Sequence, residues 1–265
     1  MAEGALETLL KRDRVIVAAS LASITILAWG YLLWISRGMA MSDAAMAAMP
    51  GMNMPSPAWS ARVFLVTFAM WTVMMVGMMT ASATPMILLY ARVARQATLQ
   101  GKPFASAGWF AGGYLLSWTL FSLVATDAQY FFDHAALLAP TMSLASHRLG
   151  GLVFVIAGIY QWTPLKDSCL HQCRSPLSFI QQHGGFKPHI GSALRLGFQH
   201  GLYCIGCCWA LMALLFAGGV MNLAWVAVLA ALVLIEKLAP GGRIIARVAG
   251  TGFAAAGVWL LYSAA

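Results

Sequence analysis

Charge is what this sequence has least of. Only 9% of its 265 residues are Asp, Glu, Lys or Arg, and eight residues in all are acidic. A soluble domain carries about 25% charged residues, so this chain cannot cover a core with a water-facing surface, and soluble enzyme folds are excluded. A phosphate-binding loop and an Asp-Lys-Thr-Gly phosphorylation motif are also missing, so nothing in the chain points to ATP-driven pumping. The first apolar run has no small-residue cleavage site after it and reads as a retained helix rather than a removed signal peptide. No internal repeat is visible, and with it goes the inverted-repeat architecture of many transporters.

Apolar residues are abundant instead: 61% of the chain, with a mean hydropathy of +0.78. At about 20 apolar residues per crossing, this predicts an all-α, polytopic transmembrane helical bundle. Seven spans are expected, at residues 15–35, 61–88, 107–126, 149–163, 191–216, 220–235 and 244–262. Residues 1–60 read as an N-terminal transmembrane helix plus an outer loop, and 61–265 as a six-helix membrane domain. The fourth span is short and is expected either to extend into residues 144–149 or to tilt less than its neighbours.

The net charge of +8 is explained by membrane orientation rather than by nucleic acid. With the N-terminus inside, thirteen of the sixteen Lys and Arg fall on inner segments, and only Arg37, Arg62 and Arg148 lie outside. That bias predicts N-in, C-out, which requires an odd number of spans. The lipid bilayer is then the first partner, and an oligomer is allowed.

Sulfur is unevenly distributed. Twelve of the 16 Met lie between Met39 and Met86, and all five Cys lie between Cys169 and Cys208. Met39, Met41, Met46, Met49, Met52 and Met54 sit in a small-residue stretch expected to be an outer loop.

The densest chemistry is Gly197-Phe-Gln-His200-Gly-Leu-Tyr-Cys204-Ile-Gly-Cys207-Cys208-Trp209. At roughly 100° per residue, His200, Cys204, Cys207 and Cys208 fall near 0°, 40°, 340° and 80°, on one face of a helix. Gly197, Gly201 and Gly206 invite close approach by another helix. One imidazole and three thiols are soft ligands that favour Cu(I) or Zn(II) over hard cations. Cysteine also packs well as a small buried residue, but three in five positions with a histidine one turn away favour metal or redox chemistry.

Cys169 and Cys173 lie in a segment expected to face the cytosol. Pro164 can start a helix there, which would put the two thiols at i and i+4, able to bind one ion or pair reversibly. In the second span Met70, Met74 and Met78 form one stripe and Met75 and Met79 another, with Met74 near the depth of Cys204. Such stripes are commonly adaptable packing; beside the Cys/His stripe, Met74 and Met78 become candidate thioether ligands. Asp127, Asp133, His134 and His147 cluster in an expected outer loop, and Glu236-Lys237 reads as an interfacial ion pair with a snorkelling lysine.

Four ordered motifs resemble a bacterial family of predicted metal-binding integral membrane proteins, a domain of unknown function. They are Trp71-x-x-Met74-Met75-x-Gly-Met78-Met79 with Pro85; Tyr160-Gln161-x-Thr-Pro-Leu-Lys166-x-x-Cys169-Leu-x-x-Cys173-Arg174-x-Pro176; Gly201-x-x-Cys204-x-Gly-Cys207-Cys208-Trp209-x-Leu-Met212; and Glu236-Lys237. The resemblance spans residues 60–240 and implies a polytopic inner-membrane protein that binds metal through these Cys and Met, without implying a reaction.

The reading with most support is a Cu(I)-handling membrane protein, with Zn(II) as the other candidate ion. Met residues would pass the ion to His200, Cys204, Cys207 and Cys208, with Cys169 and Cys173 as an inner acceptor and a membrane cuproprotein or periplasmic metal carrier as partner. A thiol-disulfide oxidoreductase using Cys204 and Cys207 and a structural subunit of a cuproenzyme complex are the alternatives.

Overall fold

The computed structural model describes residues 2–47, 59–102, 105–139 and 142–263, with side chains described from Val15 to Gly38 in the first stretch and throughout the others. Nine helices are present among them: α1 (Ala2–Ala47), α2 (Ala61–Leu99), α3 (Ala107–His134), α4 (His147–Tyr160), α5 (Pro164–Arg174), α6 (Pro176–Gln182), α7 (Ile190–Gly218), α8 (Leu223–Leu238) and α9 (Gly242–Ser263). Outside the helices, one isolated bridge joins Leu138 to Leu144. The all-helical expectation holds. Five helices are long and apolar enough to cross a membrane: 15–38 within α1, α2, α3, α7 and α9.

The remaining two expected spans are shorter. The 14 residues of α4 and 16 of α8 rise only about 21 and 24 Å, and α4 does not extend back into residues 144–146. Helix α5 packs against α7 and α8. What reads in sequence as a cytosolic loop over 164–190 therefore holds two packed helices. The start of α5 follows local chemistry: Pro164 occupies its first turn, and the Thr163 hydroxyl caps the backbone N–H of Lys166 at 3.3 Å.

Three other boundaries move. Helix α1 continues through Met39, Met41 and Met46 to Ala47, so that part of the expected outer loop is helical; residues 48–58, with Met49, Met52 and Met54, lie outside the described residues. Helix α2 runs past Pro85 to Leu99. Helix α3 runs on to His134, placing Asp127 and Asp133 on a helix.

Close backbone approach builds the bundle. Helices α3 and α7 meet at glycines: a Cβ at Gly201 would come within 2.8 Å of the Ser117 Cβ, and one at Gly113 within 2.9 Å of the Phe198 nitrogen. Helices α4 and α9 meet along a similar seam, where a Cβ at Gly158 would lie 2.6 Å from the Gly250 oxygen. Small residues at such crossings are how helices associate where lipid removes the hydrophobic drive between them. Helix α1 lies at the edge, joined to α2 by the Trp29 indole donating to the Gly77 carbonyl at 3.3 Å. The outer face of α9 leaves Ile244, Val248, Trp259 and Tyr262 exposed, as a lipid-facing surface requires.

Candidate metal centre

Cys204 sits at the middle of α7, about 21 Å from its first residue. All four residues of the predicted stripe are buried: His200, Cys204, Cys207 and Cys208 are at most 3% exposed. The thiols of Cys207 and Cys208 donate back to the Cys204 carbonyl at 3.1 and 3.0 Å. Their sulfurs are thereby gathered at one turn of α7.

Helix α5 supplies the next element. Its face Lys166–Cys169–Leu170–Cys173 turns inward, and the Cys173 thiol interacts electrostatically with the thiols of Cys204 and Cys207. Cys169 lies against Gly206, where an added Cβ would come within 2.7 Å of its sulfur. The fold thus brings the two cysteine sets of the sequence side by side, α5 against α7. The cause is burial: α5 is amphipathic, and its apolar and thiol face packs on α7. Interaction with those two thiols, and then burial, pushes the Cys173 thiol well up from its ordinary value, and burial raises Cys169.

Three polar side chains complete the surroundings of Cys204. The Tyr114 hydroxyl lies 3.1 Å from Sγ and donates to the Met79 carbonyl at 3.2 Å. Lys237 Nζ donates to Cys204 Sγ at 2.8 Å and to Ser82 Oγ at 3.1 Å. Ser82 stands one turn from both Met78 and Met86 on α2, so the α2 face that reaches the cluster is lined with methionine. Met74, Met75, Met78, Met79 and Met86 are all at most 2% exposed.

His200 is placed differently from a ready ligand. Its ring lies among Phe110, Tyr114 and Phe179, with centroids 6.0, 5.7 and 5.2 Å away, and its Nδ1 is buried without a hydrogen-bond partner. Among the described residues, no three His, Cys, Asp or Glu side chains converge as a preformed metal-binding group. Of the Asp127, Asp133, His134 and His147 set, Asp133 accepts from the Trp59 indole at 2.6 Å, and the His134 ring is against the Tyr130 carbonyl at 3.2 Å.

Glu236 and Lys237 correct the expected interfacial pair. Adjacent on α8, they point about 100° apart, and both are buried. Glu236 pairs with Lys166 at 2.6 Å and accepts from the Gln161 amide at 3.0 Å, while Lys166 also donates to the Gln161 oxygen. Arg174 donates to the Glu236 carbonyl at 2.7 Å, and Asp167 bridges to Arg243 and Arg247 on α9 at 3.3 and 3.2 Å. These contacts fasten α5, with its two cysteines, to α8 and α9.

A family model described as the PpoB2 copper chaperones matches residues 68–260. The chain belongs to the PpoB2 copper chaperone family. No curated protein and no solved structure matches it. The PpoB2 match agrees with the resemblance drawn from the motifs. It begins inside α2 and takes in every cysteine, Tyr114, Lys166, Glu236 and Lys237, whereas α1 and residues 39–54 precede it.

Tyr114 and Ser82 gave no signal in the sequence, since hydroxyls are unremarkable in membrane helices. Lys237 did give one, as a rare charge near apolar surroundings, whereas Lys166 read as a loop residue; their partners are remote in sequence and only the fold pairs them.

Proposed function

We propose that this chain is a bacterial inner-membrane Cu(I) chaperone of seven spans, N-in and C-out, that holds the ion at the thiol cluster and passes it to a copper protein. The observation that carries the reading is the meeting of Cys173 with Cys204 and Cys207 from two helices, beside a methionine-lined face of α2. Thiolates and thioethers favour soft ions such as Cu(I) over hard cations. Zn(II) ordinarily takes four N, S or O ligands in a tetrahedron; Cu(I) accepts fewer, which suits a place where, among the described residues, no four-ligand set is preformed. Cys169, Cys208 and His200, with Met74 and Met78 of α2, are the further donors this reading assigns. The family name supports copper as the cargo, and the distribution of Lys and Arg supports the orientation.

The test is anaerobic Cu(I) titration of detergent-purified protein against a chromophoric competitor. About one Cu(I) per chain is expected, lost when Cys173, Cys204 and Cys207 are replaced together by Ser. Wild-type protein that takes up no Cu(I), or a triple variant that binds it as wild type does, overturns the reading.

The same contact between thiols also favours a second reading, a dithiol oxidoreductase in which Cys173 and one of its partners form a disulfide while a quinone takes up the two electrons and two protons. Metal-free protein whose thiols cycle with added quinone would establish that reading instead.

A further inference from the structure

We propose that Lys237 determines which ions the thiol cluster accepts: its ammonium is a resident positive charge that restricts the cluster to a monovalent cargo. This rests on the metal-binding role proposed above and adds to it the origin of the ion preference.

Lys237 is 6% exposed, in the last turn of α8, with Nζ 2.8 Å from Cys204 Sγ and 3.1 Å from Ser82 Oγ. Its chain neighbour Glu236 cannot neutralise it, because that carboxylate points about 100° away around α8 and is held by Lys166 and Gln161. Among the described residues, the buried acid near this lysine, Glu236, pairs with Lys166, and Asp167 pairs with Arg243 and Arg247. The cluster sulfurs are therefore the counter-charge available to this ammonium. Burying a charge without a partner is costly, so the pairing of Lys237 with Cys204 is built into the fold.

An incoming cation adds its charge to that of Lys237. In a buried site each further positive charge meets repulsion that water does not screen. A monovalent ion brings one such charge, whereas a divalent ion brings two to the same few sulfurs. Discrimination is a difference of affinities, and a fixed repulsive element raises it without any new contact to the favoured ion. Lys237 supplies that element against Zn(II).

The experiment compares Cu(I) and Zn(II) affinities of detergent-purified wild type, Lys237→Leu and Lys237→Arg, using chromophoric competitors without oxygen. Leucine removes the charge and cannot coordinate; arginine keeps the charge. The expected result is that Lys237→Leu shifts the affinity ratio toward Zn(II) by about tenfold or more, while Lys237→Arg stays near the wild-type ratio. Lys237→Gln, which can still bond Ser82, carries the same expectation as leucine should that variant not fold. A neutral variant that melts like wild type and keeps the wild-type ratio overturns the proposal while leaving Cu(I) binding intact. Wild-type protein that binds neither ion removes the metal reading, and this one with it.

Discussion

Lys166 Nζ and Glu236 Oε2 lie 2.6 Å apart, with side chains 0% and 2% exposed. Gln161 ties the pair together by accepting from the lysine and donating to the carboxylate. This pair joins α5 to α8, and the thiol cluster depends on α5 being in place. Removing one partner leaves a buried charge uncompensated, which costs about 3–5 kcal/mol, whereas replacing both with apolar residues is far milder. Glu236→Leu and Lys166→Met are each expected to lower the thermal midpoint in detergent sharply, and the double variant to recover most of the loss. Additive losses in the double variant would mean that the two charges do not act as a pair.

The approach of α5 to α7 is set by Gly206. A Cβ there would come within 2.7 Å of the Cys169 sulfur and 3.6 Å of its Cβ, and the Tyr160 hydroxyl donates to the Gly206 carbonyl. Gly206→Val is expected to push α5 outward at a cost of about 1–3 kcal/mol. Cys173 would then part from Cys204 and Cys207. The checks are faster alkylation of Cys173 and weaker Cu(I) retention in the same variant; unchanged alkylation would place the α5–α7 contact elsewhere.

Local periodicity made much of this legible. The helical pattern of His200, Cys204, Cys207 and Cys208 predicts one shared face, and all four are buried. Gly197 and Gly201 predict close packing, found against α3, and Gly206 accepts the side of α5. What could not be read is what crosses between distant segments. A loop-length interval with Pro and polar residues looks cytosolic, yet Leu170 and Lys166 turn α5 inward and bring two cysteine sets side by side. Likewise, adjacency in sequence suggests that Glu236 and Lys237 pair, but on a helix neighbouring residues face different partners.

Orientation can be checked by impermeant labelling. Gln100, at the end of α2, is exposed and assigned inside; Ala145, just before α4, is exposed and assigned outside. In intact spheroplasts, Ala145→Cys is expected to react with a membrane-impermeant maleimide, while Gln100→Cys reacts only after permeabilisation. The reverse pattern would invert the topology. Reaction of both in intact cells would require an even number of crossings between them.

The reactivity of Cys169 tests its surroundings. It lies on α5, between the membrane-spanning helices, and is only partly buried. Burial pushes its thiol up, with the nearby Cys207 adding in the same direction. The thiolate is the reactive form, so a raised value leaves less of it at neutral pH than in the unfolded chain. Alkylation of native Cys169, followed by peptide mass spectrometry, is therefore expected to be slower at neutral pH than in denatured protein. Its rate should rise at a more alkaline pH than that of an ordinary thiol. Steric shielding alone would lower the rate at every pH without moving the profile, so the position of the rise separates the two causes. A profile displaced toward acid would mean that a neighbouring positive charge outweighs burial at this cysteine.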